Sequence, residues 1–488
     1  MDEDTANSQG QTNHPSGDMM VFSSSDDDDD GEESNPHHSA ARIMAINAIS
    51  QTQQTAAYPM LFDSSSSSSE DSDGERPWGG SVPGKAPNKA RNFQLAKATL
   101  MRQYFNGEDS IFDEFDFERR FRMPRAVFMK VKDAVIGEGP FTQRFDGSGK
   151  PGIDPLVRLT ACFRRLAYGT SSDLADEQFE VSESVISRDL PIMCRIVKEK
   201  LGSYINSMPN EEVMAQVQGV NAGRGFPGLL ASWDCKHFPW EICPVAQQGQ
   251  YKSGAKPSPS LILEAICDPH LYIWYHHFGE PGSLNDINVL HKSSIFLSIL
   301  SGQLDLETQP YQINNAVRNF GYFLVDGIYP SWAIFIDTFH EPQDEKQILF
   351  CQAQEGVRKD IERAFGVIVK KWRMLQQPLR NWYIDDIKSI LDCCIIFHNM
   401  VVEHKRNNYT INDWVRNQVE LYNLNNNENL AHLSLFGTNN LGNVDPSVLG
   451  PGLAHLRGAA VSSVYDDPVK HFSLKSDLVE HIWNLKKN

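Results

Sequence analysis

The chain has 488 residues and a formal net charge of −18, which would argue against a nucleic-acid partner if the charge were spread evenly. Residues 1–80, however, hold 16 acidic and two basic residues, a net charge of −14, so the remaining 408 residues are close to neutral. The eight cysteines include no CxxC pair and no long uncharged apolar run occurs. A zinc framework, a disulfide scaffold, secretion and a membrane span are therefore not expected.

Residues 1–92 are a low-complexity tail with acidic, serine-rich runs at 23–34 and 63–75. Few apolar residues and strong self-repulsion predict that this tail is disordered. At the other end, we assign residues 406–488 to an Asn-rich linker followed by a C-terminal helix.

Residues 93–215 have the apolar spacing of helices and many basic residues. In "FERRFRMPRAVFMKVKDAVI" (117–136), Pro124 is expected to open a second helix. "GIDPLVRLTACFRRLAYG" (152–169) begins with Asp154 as N-cap and ends at Gly169. A short helix to about Phe179 and a longer helix within 181–202, bent at Pro191, complete the outline.

This succession of helix, short helix, turn and longer helix predicts a helix-turn-helix-like DNA-binding region, with an ordinary helical bundle as the alternative. Arg164, Arg165 and Arg188 stand where contacts with DNA phosphates would be useful.

Residues 220–405 change to a mixed α/β pattern. Strands are predicted at 229–242, 260–268, 271–279 and 322–326, a helix within 281–300 and a long helix at 355–375. This order is that of an RNase H-like fold, a mixed sheet flanked by helices. Acids at the ends of its first and fourth strands would lie side by side at one edge of the sheet.

Two such acids are Asp234, near the end of the first strand, and Asp326 in "YFLVDGIYP" (322–330). Asp326 follows four apolar residues, where it could cap the next turn or hold a ligand in a cleft. Glu362 borders the apolar stripe of the long helix and could face the same cleft. Its alternative is an exposed ion pair with Arg358.

Carboxylates from two strands and a helix would repel one another unless a cation lay between them. Hard oxygen ligands suit Mg²⁺ or Mn²⁺. Two such ions can activate a water or a 3′-hydroxyl and stabilise the leaving oxygen of a phosphoryl displacement. The acid set therefore predicts a metal-dependent phosphodiester chemistry, with Asp326 as a metal ligand.

Six motifs occur in one order along the chain: "SWDCKHFPW", "YKSGAKPSPSLILEAICD", "FGEPGSLNDINVL", "LVDGIYPSW", "RKDIERAFGV" and "CCIIFHNMVVE". Together they resemble the PIF/Harbinger transposases and the Harbinger transposase-derived nucleases, especially the plant-type branch. The likeness covers roughly residues 95–405, and 474–484 resembles that branch's C-terminal helix.

The resemblance implies an RNase H-like DDE catalytic domain behind a helical DNA-binding region. It places the catalytic and metal-binding acids at Asp234, Asp326 and Glu362, and a fourth metal ligand at Asp286. Asp286 also has the alternative role of helix N-cap. Lys236 departs from the usual first motif and adds a cation that could contact a phosphate or weaken metal binding.

Four histidines, His237, His276, His277 and His398, lack the spacing of a zinc site and are expected to be structural. "KKWR" (370–373) is expected to be a solvated helix face, with DNA contact as the minor alternative.

Two functional classes follow. The first is an active metal-dependent DNA endonuclease or transposase, and the second is a domesticated, catalytically silent adaptor that binds DNA or chromatin. A metal-dependent phosphatase is a distant third. The partners implied are DNA, a Myb-like DNA-binding helper protein and further copies of the chain, without a membrane. The expected compartment is the nucleus, with the cytoplasm as a second one.

Overall fold

The computed structural model describes residues 89–254, 258–408 and 467–487. The chain divides into two units, Met1–Pro87 and Asn88–Asn488, and the described residues belong to the second. The two acidic runs of the predicted disordered tail and the Asn-rich segment 409–466 lie outside the described residues.

The second unit begins with helices. A π-helical turn at Met101–Phe105 extends the first of them. The helices are α1 (Phe93–Leu100), α2 (Glu114–Phe121), α3 (Arg125–Val135), α4 (Pro155–Tyr168), α5 (Ser172–Phe179), α6 (Glu183–Leu201) and α7 (Glu211–Gly223).

The caps of α4 confirm the helix boundaries that the sequence predicted, and the cap of α5 lies close to the predicted position. The Asp154 carboxylate accepts a hydrogen bond from the Leu156 N–H at 2.9 Å, and Gly169 ends α4 with a φ of +63°. A Cβ at Gly169 would lie 2.8 Å from the Arg373 carbonyl oxygen, so both conformation and space require glycine there. Ser171, one residue later than expected, caps α5.

The sheet has five strands: β1 (Leu229–Pro239), β2 (Ser260–Cys267), β3 (Ile273–Pro281), β6 (Tyr322–Leu324) and β7 (Phe335–Ile336). Their order in the sheet is β3-β2-β1-β6-β7. β1, β2 and β3 are antiparallel neighbours, whereas β6 runs parallel to β1 and β7 parallel to β6.

Short helices and a two-stranded ribbon connect these strands. The ribbon pairs β4 with β5, and its strands are polar and largely exposed. These connecting elements are α8 (Gln248–Tyr251), α9 (Asp286–Leu290), α10 (Ser294–Leu300), β4 (Glu307–Ile313) and β5 (Ala316–Phe320).

Three long helices complete the unit: α11 (Glu345–Lys371), α12 (Ile384–Asn408) and α13 (Pro468–Lys487). α13 confirms the predicted C-terminal helix and packs against α11. The apolar stripe predicted for α11 is buried, including Val357, Ile361 and Phe365.

One hydrophobic core joins the N-terminal helices to the helices that cover the sheet. The Phe163 ring of α4 stacks on Phe397 of α12 at a centroid distance of 5.0 Å, and Trp372 packs on both rings. The predicted regions 93–215 and 220–405 are therefore parts of one compact unit.

Several boundaries differ from the sequence predictions. The helix expected within 281–300 is split into α9 and α10. α11 begins ten residues earlier than predicted, because Asp344 caps it by accepting the Gln347 N–H at 2.8 Å. In the described part of the chain, no helix is long and apolar enough to span a membrane.

Candidate acidic site at the sheet edge

One face of α11 runs along the edge where β6 and β7 end. Gln354, Arg358 and Glu362 are spaced four residues apart and therefore share this face. The buried amide of Gln354 donates to the carbonyl oxygens of Val325 and Ile336 at 3.0 and 2.9 Å. These two bonds fix α11 against the strand ends, and they therefore fix the positions of Arg358 and Glu362 along the edge of the sheet.

Asp234 and Asp326 occupy equivalent positions on neighbouring parallel strands. Ser232 of β1 is the register partner of Leu324 of β6, and each aspartate lies two residues further along. Neighbouring strands are about 5 Å apart, so this register brings the two acids to the same edge of the sheet. The sequence predicted that the acids at the ends of these two strands lie side by side, and the parallel register of β1 and β6 places them so.

β1 ends at different residues on its two sides. Its pairing with β6 stops at Ser232, but its pairing with β2 continues to Pro239. Asp234 therefore lies beyond the strand end only on the β6 side. Asp326 is exposed, and its Oδ1 accepts the Gly327 N–H at 2.8 Å, so one of its oxygens does cap the turn that follows.

Arg358 joins Asp234 to Glu362. Its Nη1 donates to Asp234 Oδ2 at 2.8 Å, and its Nη2 lies 3.1 Å from Glu362 Oε1. The Asp234 side chain is only 14% exposed, whereas Glu362 is 48% exposed. The ion pair that the sequence offered as the alternative role of Glu362 is present, and it extends to the first aspartate.

Burial raises the pKa of Asp234 to about 6, although Arg358 and the Cys235 N–H act in the opposite direction. The negative charges of Asp286 and Glu362 raise this pKa further. Asp234, Asp286 and Glu362 are thus close enough to interact electrostatically.

Asp286 is not the N-cap of its helix, so that alternative was wrong. Asn285 is the cap, and its Oδ1 accepts the Asn288 N–H at 2.9 Å. Asp286 is the first residue of α9 and its charge acts on Asp234, Cys235 and Glu264.

The donor chemistry of these acids suits a hard divalent cation, but their arrangement does not fit one. The Arg358 guanidinium holds two of the carboxylates that such an ion would take. Within 89–254, 258–408 and 467–487, no three His, Cys, Asp or Glu side chains are placed to hold a metal ion.

A buried acid on the other face of the sheet was not predicted. Glu264 of β2 is the register partner of Cys235, and it accepts the Trp233 indole N–H at 3.0 Å. Burial raises its pKa to about 7, while hydrogen bonds from Ser293 and Trp233 lower it. The signal in the sequence was one glutamate inside the apolar run "SLILEAIC".

Protein groups engage the four histidines. The distances are 3.0 Å from His237 to the Ser260 hydroxyl, 2.6 Å from His276 to Asp392, 3.1 Å from His277 to Glu280, and 2.7 Å from His398 to the Leu271 carbonyl. Burial lowers the pKa of His398 to about 3. These contacts agree with the structural role expected for all four.

Arg164, a predicted phosphate contact, is buried inside the protein. Arg164 is only 5% exposed, donates to the Arg120 carbonyl oxygen at 2.7 Å and lies over the Phe121 ring. Because its guanidinium is enclosed by protein, the prediction of a phosphate contact for Arg164 was wrong.

Three other cations keep some access to solvent. Arg165 is half-buried and donates to the hydroxyls of Ser172 and Ser187. Arg188 is 60% exposed and pairs with Asp189 at 2.8 Å. Lys236 is half-buried, two residues after Asp234 and on the same face of β1. Contacts of these three residues with DNA stay predictions.

The expectation that the segment 370–373 is a solvated helix face was wrong for all of its residues except Arg373, which is exposed. Trp372 is fully buried, and Lys370 and Lys371 are half-buried. Burial lowers the pKa of Lys371 to about 7, and the positive charges of Lys405 and Arg122 lower it further.

Comparison with known proteins agrees with the motifs. Residues 202–409 match the family model described as plant transposon protein, and residues 97–136 match a domain of unknown function. Protein ALP1-like from Arabidopsis thaliana is 23% identical over 303 residues, which cover 60% of this chain and 71% of that protein. No solved structure matches the chain.

The plant transposon match begins before β1 and ends with α12, so it includes the sheet, α11 and all four acids. The resemblance recognised from the motifs is thereby confirmed: this part of the chain is similar to plant transposon proteins, in agreement with the Harbinger transposase-derived family.

Proposed function

We propose that this chain is a DNA nuclease or transposase of the Harbinger type, which cleaves phosphodiester bonds with the help of Mg²⁺ or Mn²⁺. The observation that supports it most is the register of β1 and β6, which puts Asp234 and Asp326 at one sheet edge. Glu362 is connected to the same edge through Arg358. Acids that share an edge repel one another, so a purely structural site has no need of them.

We further propose that the sheet is RNase H-like. In its support, an antiparallel β1–β3 meander is followed by helices, by β6 parallel to β1, and then by the long helix α11. That is the succession predicted from the sequence, with the β4–β5 ribbon inserted before β6.

The proposed reaction is a displacement at phosphorus. An oxygen of water or of a 3′-hydroxyl forms a bond to phosphorus while the bond to the leaving oxygen breaks. The three acids would hold a divalent cation once Arg358 released two of them, and the cation would supply the positive charge that this reaction needs. The chain's own part is to hold the carboxylates at fixed positions, through the sheet register and the anchoring of α11 by Gln354.

DNA is the proposed substrate, and the nucleus the proposed compartment. Arg188, Arg165 and Lys236 are proposed DNA contacts, because each retains some exposure. A Myb-like helper protein and a second copy of the chain are the further proposed partners.

A second candidate is a domesticated adaptor that binds DNA without cutting it. The specific observation in its favour is Arg358, which neutralises two of the acids without any metal. In an adaptor, the ion pairs of Arg358 would stabilise the acids, and no metal would be needed.

Nicking of supercoiled plasmid distinguishes the two candidates. The nuclease should nick with Mn²⁺ or Mg²⁺ and not with Ca²⁺, whose coordination shell is larger and looser. Asp234→Asn, Asp326→Asn and Glu362→Gln should each abolish nicking and leave DNA binding intact. Glu355→Gln is the matched control, since it removes an exposed glutamate from the same helix. Binding without nicking under either metal would establish the adaptor.

A further inference from the structure

The two acids joined by Arg358 come from different elements. Asp234 belongs to β1 and Glu362 to α11, and the guanidinium spans them with one nitrogen at 2.8 Å and another at 3.1 Å. The Arg358 side chain is itself only 15% exposed. A planar guanidinium with several fixed N–H donors is well suited to hold two carboxylates at once.

We propose that Arg358 is a built-in counter-cation of the acidic site, which competes with a divalent ion for Asp234 and Glu362. The proposal rests on the proposed function only in taking these two acids as the cation-binding ones. Arg358 and the ion exclude each other for two reasons. They need the same carboxylate oxygens, and two cations a few ångströms apart repel strongly in a half-buried site.

The charges explain why the site needs Arg358 when no other cation is bound. Asp234 and Glu362 both bind one guanidinium, so their carboxylates are close together and their mutual repulsion costs free energy. One positive charge between two of the acids offsets part of that cost. A divalent ion would offset more of it, so the exchange has a driving force.

The exchange requires a side-chain rotation and no movement of the helix. α11 is fixed by the two hydrogen bonds of the buried Gln354, one turn before Arg358. The Glu362 side of the bridge is about half exposed, so the guanidinium has a route towards solvent.

The test is a Mn²⁺ titration of the full chain at pH 8 by calorimetry, with no DNA present. Arg358→Gln should bind Mn²⁺ about fivefold more tightly than wild type, equivalent to about 1 kcal/mol. Arg363→Gln is the matched control, because it removes an arginine of the same helix that pairs with Asp360. It should leave the affinity unchanged.

The double variant Arg358→Gln/Asp234→Asn accounts for ions held elsewhere, such as by the 16 acids of residues 1–80. It should lose the gain. An affinity of Arg358→Gln equal to or weaker than wild type would overturn the proposal, as would a gain that survives Asp234→Asn.

Circular dichroism checks the fold of each variant. If Arg358→Gln fails to fold, Arg358→Lys carries the test, because an ammonium keeps the charge but bridges two carboxylates poorly. It should bind Mn²⁺ about twofold more tightly, and an unchanged affinity would overturn the proposal. The titration is independent of nicking: tighter Mn²⁺ binding without strand cleavage would reject the nuclease and leave the role of Arg358 standing.

Discussion

The carboxylate of Asp234 and the guanidinium of Arg358 form an ion pair at 2.8 Å that links the central strand β1 to the long helix α11. Both side chains are largely shielded from water, and Arg358 also forms an ion pair with Glu362. The state of the acidic site therefore depends on Arg358, which the sequence indicated only as an ion-pair partner of Glu362.

The acids should separate stability from chemistry. Glu362→Gln should change the free energy of unfolding by no more than about 0.5 kcal/mol, because its side chain is half exposed and such pairs contribute little. Asp234→Asn should cost no more at neutral pH, because burial raises the pKa of Asp234 to about 6 and the amide is neutral like the protonated carboxyl. Urea denaturation measures both, and the plasmid assay should find both inactive. A strongly destabilised Glu362→Gln would show that the glutamate is structural.

Gln354 should position the acidic face of α11. Gln354→Leu would leave the Val325 carbonyl oxygen without the side-chain N–H from which it accepts a hydrogen bond, and an unpaired buried polar group costs about 1–3 kcal/mol. We expect urea denaturation to show a loss of that size in the free energy of unfolding. In the Gln354→Leu background, Arg358→Gln should also raise the Mn²⁺ affinity by less than it does in the wild-type background. Gln352→Leu, on an exposed position of the same helix, is the control and should be nearly neutral. Equal losses in the two variants would contradict this role.

The parts of the fold that depend on local patterns could be predicted from the sequence. The caps at Asp154 and Gly169 and the apolar stripe of α11 gave the right elements because neighbouring residues decide them. The polar β4–β5 ribbon and the two-residue strand β7 carry no such pattern.

Side-chain partners were harder to predict, because they depend on packing between distant segments. Arg164 has the sequence context of a surface arginine, yet α2 covers it, with Arg120 and Phe121 in contact. The Asp234–Arg358 pair joins residues 124 positions apart. Only the folded arrangement of β1 and α11 shows that the cation next to the first aspartate is an arginine.

The pKa of Glu264, raised to about 7 by burial, should make stability depend on pH. In the unfolded chain this carboxyl has its usual pKa of 4.5, so between about pH 4.5 and 7 the folded protein binds the extra proton. Its contribution to stability is therefore present at pH 4.5 and is lost as the pH rises to 7. Glu264→Gln, which mimics the protonated form, should have a melting temperature that falls less than that of wild type between pH 5 and 8.

Glu280 provides a control of opposite sign. Burial raises its pKa, but hydrogen bonds from His277 and Lys292 outweigh burial and lower it to about 2. Its charged form stabilises the fold above about pH 4.5, and this stability is lost as the pH falls towards 2. Glu280→Gln should therefore destabilise the protein at neutral pH. Parallel melting curves for wild type and Glu264→Gln would contradict the shift proposed for Glu264.

Two arginines should separate packing from DNA binding. Arg164→Met should lower the free energy of unfolding by about 2 kcal/mol, because it removes a charged hydrogen bond to the Arg120 carbonyl. It should leave the salt dependence of DNA affinity unchanged. Arg188→Gln should reduce the slope of log affinity against log salt by about one, as expected for one lost phosphate contact. A reduced slope for Arg164→Met would restore it as a DNA contact.

The most direct measurement of the central claim is a crystal structure of the Arg358→Gln protein with Mn²⁺, using the anomalous scattering of manganese to locate the ion. The claim is that Asp234, Asp326 and Glu362 form one cation site in which Arg358 takes the place of the ion. It predicts an anomalous peak between the carboxylates of Asp234 and Asp326, beside Glu362, and a much weaker peak there in wild-type crystals grown in the same Mn²⁺ concentration. Equal peaks in both crystals, or a peak only at acids elsewhere on the protein, would contradict it.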